Sequence, residues 1–117
     1  MKTICFDIDG VICKSKYKDY KKSVPIIKNI KLINSLFESG FIIKLYTARC
    51  MGRTFDNRKK SEKLIKKITI SELKLWKVIY HKIFFGKLSF DILVDDKCFF
   101  FRENWPKILQ KKLLNIK

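Results

Sequence analysis

The stretch Thr3-Ile-Cys-Phe-Asp-Ile-Asp-Gly10 decides how the rest of the chain is read. Its first half is short, apolar and partly β-branched, which suits a strand. It turns polar at Asp7 and Asp9 and ends on Gly10. Alternation along a strand puts Asp7 and Asp9 on the same side. In open parallel α/β sheets, ligands sit beyond the carboxyl ends of the strands. A first strand that delivers two carboxylates there predicts that the next strands deliver their own polar groups to the same rim.

They do. Val11 to Val24 is polar and basic and reads as a loop or flap. Pro25 opens a helix, a position proline tolerates. Ile26, Ile30, Ile33 and Phe37 recur at helical spacing, and Gly40 stands where a C-terminal cap belongs. Phe41 to Tyr46 is a second strand, followed by Thr47. After a loop over Cys50 to Asn57, the pattern is helical from Arg58 to Trp76, with a break near Ile70 and apolar positions at Leu64, Ile68, Leu73 and Trp76. Val78 to Phe85 holds a third strand towards its end, with Gly86-Lys87 after it. Asp91 to Val94 reads as a fourth strand ending in Asp95-Asp96, and Pro106 to Leu114 as the last helix. Strands alternating with helices predict an α/β fold, a three-layer Rossmann-like arrangement with a mainly parallel sheet covered on both faces. With no internal repeat and no linker, residues 1–117 are expected to form a single domain.

The chain is 117 residues long and 47% hydrophobic, enough for one core. No run of apolar residues is long enough for a transmembrane helix. Asp7 and Asp9 interrupt any signal-peptide core, so a cytoplasmic location with reduced thiols is expected. Cys5, Cys13, Cys50 and Cys98 form no Cys-x-x-Cys pair and read as small buried or half-buried residues. There are 27 Lys and Arg against 11 Asp and Glu, a net charge of +16. Only four of the cations are Arg, and the chain has one Ala, so composition explains part of the lysine excess. The field still attracts polyanions. A phosphorylated metabolite is the expected partner, with nucleic acid the less favoured one because no DNA-binding motif is present.

The residues at the strand ends define a chemistry. Neighbouring carboxylates repel and raise each other's pKa. A hard divalent cation with oxygen ligands relieves this, and Mg²⁺ suits the set. The cation and Lys87 then attract a phosphate dianion. One Asp can attack phosphorus, a second can protonate the leaving oxygen and later activate water, and Thr47 can hold a phosphoryl oxygen.

Asp7-Ile-Asp9-Gly10-Val11, Thr47, Lys87 and Asp95-Asp96 resemble, in order, the four motifs of the haloacid dehalogenase (HAD) superfamily. The resemblance spans residues 3 to 98. It implies that Asp7 is the nucleophile and a Mg²⁺ ligand. It implies that Asp9 is the general acid/base and binds the metal through its carbonyl. Thr47 and Lys87 would bind the phosphoryl group, and Asp95 and Asp96 would complete the metal site. An Asp at position 9 favours a phosphatase or phosphomutase. Neither the segment from Gly10 to Phe41 nor that from Arg49 to Gly86 accommodates a cap domain, which favours a capless phosphatase. Leu45-Tyr-Thr-Ala-Arg49, Met51-Gly-Arg53, Asn57, Phe85-Gly-Lys87 and Val94-Asp-Asp-Lys97 look like small HAD phosphatases of bacterial capsule and surface-polysaccharide clusters. That implies a phosphomonoester on a sugar or a nucleotide-sugar-linked precursor. The usual Pro after the third-motif Lys is Leu88 here.

Arg49, Arg53 and Asn57 follow Thr47 and are expected to edge the site as substrate contacts, since Arg pairs bidentately with phosphate. Tyr17, Tyr20 and the flap lysines are weighed as a cover over the substrate against an exposed loop. The lysines from Lys59 to Lys67 read as a solvated helix face and His81 as structural. Phe99-Phe100-Phe101 predict a subunit contact or a wall of the site. The resemblance to the superfamily, in which a neighbouring subunit often closes a capless site, implies a homo-oligomer. Two rival readings are a polynucleotide 3′-phosphatase, which requires a basic groove leading to Asp7, and a non-catalytic polyanion-binding module.

Overall fold

A computed structural model describes residues 2–16, 19–99 and 101–114. Three parallel strands form the main sheet: β1 (Thr3–Asp7), β4 (Ile42–Thr47) and β5 (Lys82–Phe85), in the order β1-β4-β5. Between β1 and β4 come the antiparallel pair β2 (Cys13–Lys16) and β3 (Asp19–Pro25) and then α1 (Ile27–Glu38). Helix α2 (Arg58–Leu75) connects β4 to β5, and α3 (Trp105–Leu114) closes the described chain. The mainly parallel α/β architecture is the expected one.

The register aligns Phe6 with Leu45 and Leu45 with Ile83. Paired residues of parallel strands face the same side. That face carries the core, where Phe6, Ile43 and Leu45 meet Ile30, Ile33 and Leu36 of α1, Leu73 of α2 and Trp105 and Leu109 of α3. All three helices therefore lie on one face. The opposite face presents Cys5, Tyr46 and Phe84 to solvent. The expectation of cover on both faces is corrected here. The two crossovers run in the same direction along the sheet, and crossovers of one hand then place both helices on one side.

Local signals explain the element ends. Helix α1 stops in a Schellman turn: Gly40 has φ +97°, its N–H donates to Phe37 O, and the Phe41 N–H donates to Leu36 O. Its start lies two residues beyond Pro25, at Ile27, and carries no side-chain cap. Helix α2 runs unbroken through Ile70, and its buried stripe is Ser61, Ile65, Thr69 and Leu73. Leu64, expected in that stripe, is half exposed.

Two further expectations change. The flap pairs β2 and β3 antiparallel; Tyr17 and Lys18 lie outside the described residues. Asp91 to Val94 forms no strand, and Ile92 and Val94 are 82% and 93% exposed. Three apolar residues in a row, Ile92 to Val94, do not make a strand unless an edge pairs with them, and among the described residues this segment pairs with none. Phe99 packs on the core and Phe101 is exposed, while Phe100 lies outside the described residues. Cys13 and Cys50 are buried, but Cys5 and Cys98 are exposed rather than half-buried, and all four are free. No helix is long and apolar enough to cross a membrane.

Candidate active site

Asp7 ends β1, and the Ile8 N–H donates to its Oδ1 at 2.9 Å. Lys87, two residues beyond β5, reaches back across the sheet to place Nζ 3.4 Å from Asp7 Oδ2. The Lys87 N–H donates to Thr47 O at 3.1 Å, which ties the loop after β5 to the end of β4. Three of the four expected strand ends thus converge; the fourth, expected to carry Asp95 and Asp96, is absent because Asp91 to Val94 forms no strand. Burial pushes the Asp7 carboxyl above the usual carboxylate range. Lys87 and the Ile8 N–H pull it back without overcoming the burial, and the Asp9 charge adds to the rise. Lys87 Nζ also lies over the Phe90 ring.

Asp9 follows in a tight turn where Ile12 N–H and Gly10 N–H donate to Ile8 O and Cys13 O. Gly10 takes φ +89°, open to glycine and strained for other residues. Arg49 holds the Asp9 carboxylate. Its Nε lies 3.0 Å from both Oδ1 and Oδ2, and its Nη2 lies 2.9 Å from Oδ1. Ser15 of the flap donates its hydroxyl to the same Oδ1.

Arg49 is not the rim residue that the sequence suggested. It is 2% exposed and sits beneath the site. Its Nη1 contacts Glu72 Oε1 at 2.5 Å and Thr69 Oγ1 at 3.2 Å, both on α2. The Tyr20 ring covers the guanidinium at 4.7 Å. Burial works against its charge, but Asp9 and Glu72 outweigh that and push its pKa up. All the guanidinium nitrogens are occupied by the protein, so none is left for a substrate. Tyr20 likewise packs inward rather than over a ligand.

Asn57 is also accounted for locally. Its side chain accepts the Lys60 N–H at 3.0 Å as the N-cap of α2. Arg53 is exposed on the loop between β4 and α2. Asp56 of that loop accepts both the N–H and the hydroxyl of Ser89, joining it to the segment after Lys87. Thr47 is fully buried, and its Oγ1 accepts the Arg49 N–H. The residues that sequence reasoning missed are Glu72, Thr69 and Ser15. The signal for two of them was present: Thr69 and Glu72 fall on the inward stripe of α2, where unsupported polar groups are costly.

The resemblance implies Mg²⁺. Asp7 fits a hard cation: it offers carboxylate oxygens at a strand end, and a cation there would offset the burial that opposes its charge. Asp95 and Asp96 lie on the exposed segment after β5, where Asp95 Oδ1 accepts the Lys97 N–H. Among the described residues no group of three His, Cys, Asp or Glu encloses a metal. The chain therefore offers an anchored carboxylate rather than an all-protein cage. Mg²⁺ accepts this, since it keeps several waters and shares its shell with a substrate phosphate.

No protein-family model matches the chain. No curated protein matches it either. Two solved structures do. A structural-genomics target from Vibrio cholerae superimposes with a TM-score of 0.78 at 24% identity, over 97% of this chain and 99% of that one. The second is the D,D-heptose 1,7-bisphosphate phosphatase from B. bronchiseptica, crystallised with magnesium and phosphate. The chain shares the fold of that phosphatase. The TM-score is 0.52 at 20% identity over 84% of this chain, which spans about half (54%) of the phosphatase. At these identities the likeness is one of fold.

Proposed function

We propose that this chain is a Mg²⁺-dependent phosphomonoesterase that works through an aspartyl-phosphate. The observation that carries the reading is the approach of Lys87 Nζ to Asp7 Oδ2 at 3.4 Å across converging strand ends. A nucleophilic carboxylate beside a fixed cation is what attack on a phosphate dianion requires. Asp7 attacks phosphorus, and the bond to the alcohol oxygen breaks. Asp9 gives that oxygen a proton and later takes one from the water that hydrolyses the acyl phosphate. Inorganic phosphate leaves, and Asp7 is restored. Lys87 meets the phosphoryl oxygens, while Arg49 and Ser15 fix the direction of the Asp9 oxygens. Asp7 would hold Mg²⁺, which would supply charge neutralisation; the motif resemblance adds the Asp9 carbonyl, Asp95 and Asp96 as further ligands.

The finer reading is a phosphorylated sugar or sugar-nucleotide-linked precursor of a capsular polysaccharide, handled in the cytoplasm by a homo-oligomer. It is supported by the motif resemblance around Thr47 and Lys87. Phosphate release from a panel of sugar phosphates, phosphorylated amino alcohols and a 3′-phosphorylated oligonucleotide, with Asp7→Asn as the blank, tests it. Turnover that requires Mg²⁺ and stops with EDTA is expected. Full activity in Asp7→Asn sinks the mechanism. Silence towards every sugar-linked ester sinks the substrate reading.

A further inference from the structure

Helix α2 carries seven cations (Arg58, Lys59, Lys60, Lys63, Lys66, Lys67 and Lys74) and two carboxylates, Glu62 and Glu72. Glu72 is turned inward to Arg49. Glu62 is shared between Arg58 and Lys66, at 3.4 and 3.6 Å. Among the described residues no carboxylate pairs with Lys59, Lys63 or Lys67, which follow one another at i, i+4. Like charges at that spacing repel, so the helix sacrifices stability to display them.

The cations line concave surface. An open groove of about 630 Å³ runs along α2 between Lys59, Lys63, Lys66 and Lys67, with Glu62, already shared by Arg58 and Lys66, and Ile70 also in its lining. A second groove of about 380 Å³ shares Lys67 and Ser71 with the first and adds Lys21 of β3. At the other end, the Arg58 side chain lies against Gly86, the neighbour of Lys87. One basic track thus runs from the hairpin, along α2, to the edge of the Asp7 site.

We infer that this track docks the phosphodiester backbone of a nucleic acid strand. Nucleic acid is a dense and regular polyanion, with about one charge per 1.7 Å of duplex axis. A row of lysines without bidentate arginines suits backbone attraction and reads no base. A concave, cation-lined track suits a strand better than a flat lipid surface. The inference stands apart from the reaction at Asp7 and holds whichever phosphoester enters that site.

The test is fluorescence polarisation of a short fluorescein-labelled single-stranded oligonucleotide titrated with the full chain over a series of salt concentrations. It is run with wild type, with K59E/K63E/K67E, and with K28E/K31E, which reverses exposed lysines of α1 outside either groove. Wild type is expected to bind with an affinity that falls linearly in log–log form with salt. K59E/K63E/K67E is expected to weaken binding at least tenfold and to flatten the slope by roughly 2, at about 0.7 per single-strand phosphate released. K28E/K31E is expected to retain the wild-type slope. Circular dichroism checks that each variant is folded. Absence of binding at low salt overturns the inference. So does equal loss in the two variants, which means net charge alone, or stronger capture by anionic vesicles than by the oligonucleotide.

Discussion

Arg49 and Asp9, 40 positions apart, form one bidentate contact: Nε reaches both carboxylate oxygens at 3.0 Å while Nη1 is anchored on Glu72 of α2. The proposed acid/base is thereby fixed by a buried side chain that has no donor left for a substrate. Arg49→Met leaves two partly buried carboxylates uncompensated, which costs about 3 kcal/mol in urea denaturation, the low end for a broken buried pair because Asp9 is partly exposed. Since Arg49 acts through Asp9, kcat falls while KM stays close to wild type. A raised KM with kcat unchanged shows instead that Arg49 touches substrate.

Asp7 holds its proton more tightly in the folded chain than at its ordinary value of 3.8, chiefly because burial disfavours its charge. Its contribution to stability is therefore full below that value and is lost as pH rises through the raised folded value. Asp7→Asn cannot ionise. Without added metal it is expected to melt higher than wild type at pH 7, and the difference closes on acidification towards pH 3. Activity at pH 7 disappears in the same variant. Stability lower than wild type at pH 7 shows that the Lys87 pair outweighs the burial.

Short-range chemistry was legible in the sequence and long-range partnership was not. Gly40, the turn at Gly10 and the polar ends of β1, β4 and β5 are each set by residues within a few positions, so the strands and the rim were readable. Arg49 looked like a rim residue because its partners lie 23 and 40 positions away and meet it only once α2 packs. The flap hairpin was hidden by lysines that mask strand alternation. Asp91 to Val94 misled in the opposite sense, because its apolar composition signals a strand while strand formation needs a paired edge. Asn57 was read for substrate chemistry when its position before a helical run already gave a complete local role as a cap.

Gly86 links β5 to Lys87 with φ +94°, and a Cβ there meets Cγ and Cδ of Arg58. Gly86→Ala is expected to cost about 1–2 kcal/mol from the left-handed backbone alone. Displacement of Arg58 adds to that cost, and Arg58→Ala in the same chain recovers only this second part. The double-mutant cycle in urea therefore shows a favourable coupling, and the remaining loss belongs to the backbone. Additive losses separate the two residues and refute the close approach.

His81 accepts the Ile43 N–H on Nδ1 at 3.0 Å and stacks on Phe37 with ring centroids 4.4 Å apart. The ring thus extends the pairing of β4 just before β5 begins. His81→Phe preserves a ring for the stack and removes the acceptor, so it isolates the hydrogen bond. The expected loss is about 1 kcal/mol in urea denaturation, within the usual net value of one hydrogen bond at a site that water can partly reach. His81→Ala removes both contacts and is expected to cost more. Phosphate release by either folded variant stays at the wild-type rate, because His81 serves the sheet rather than the Asp7 rim. A His81→Phe variant as stable as wild type shows that water replaces the imidazole at Ile43 without cost.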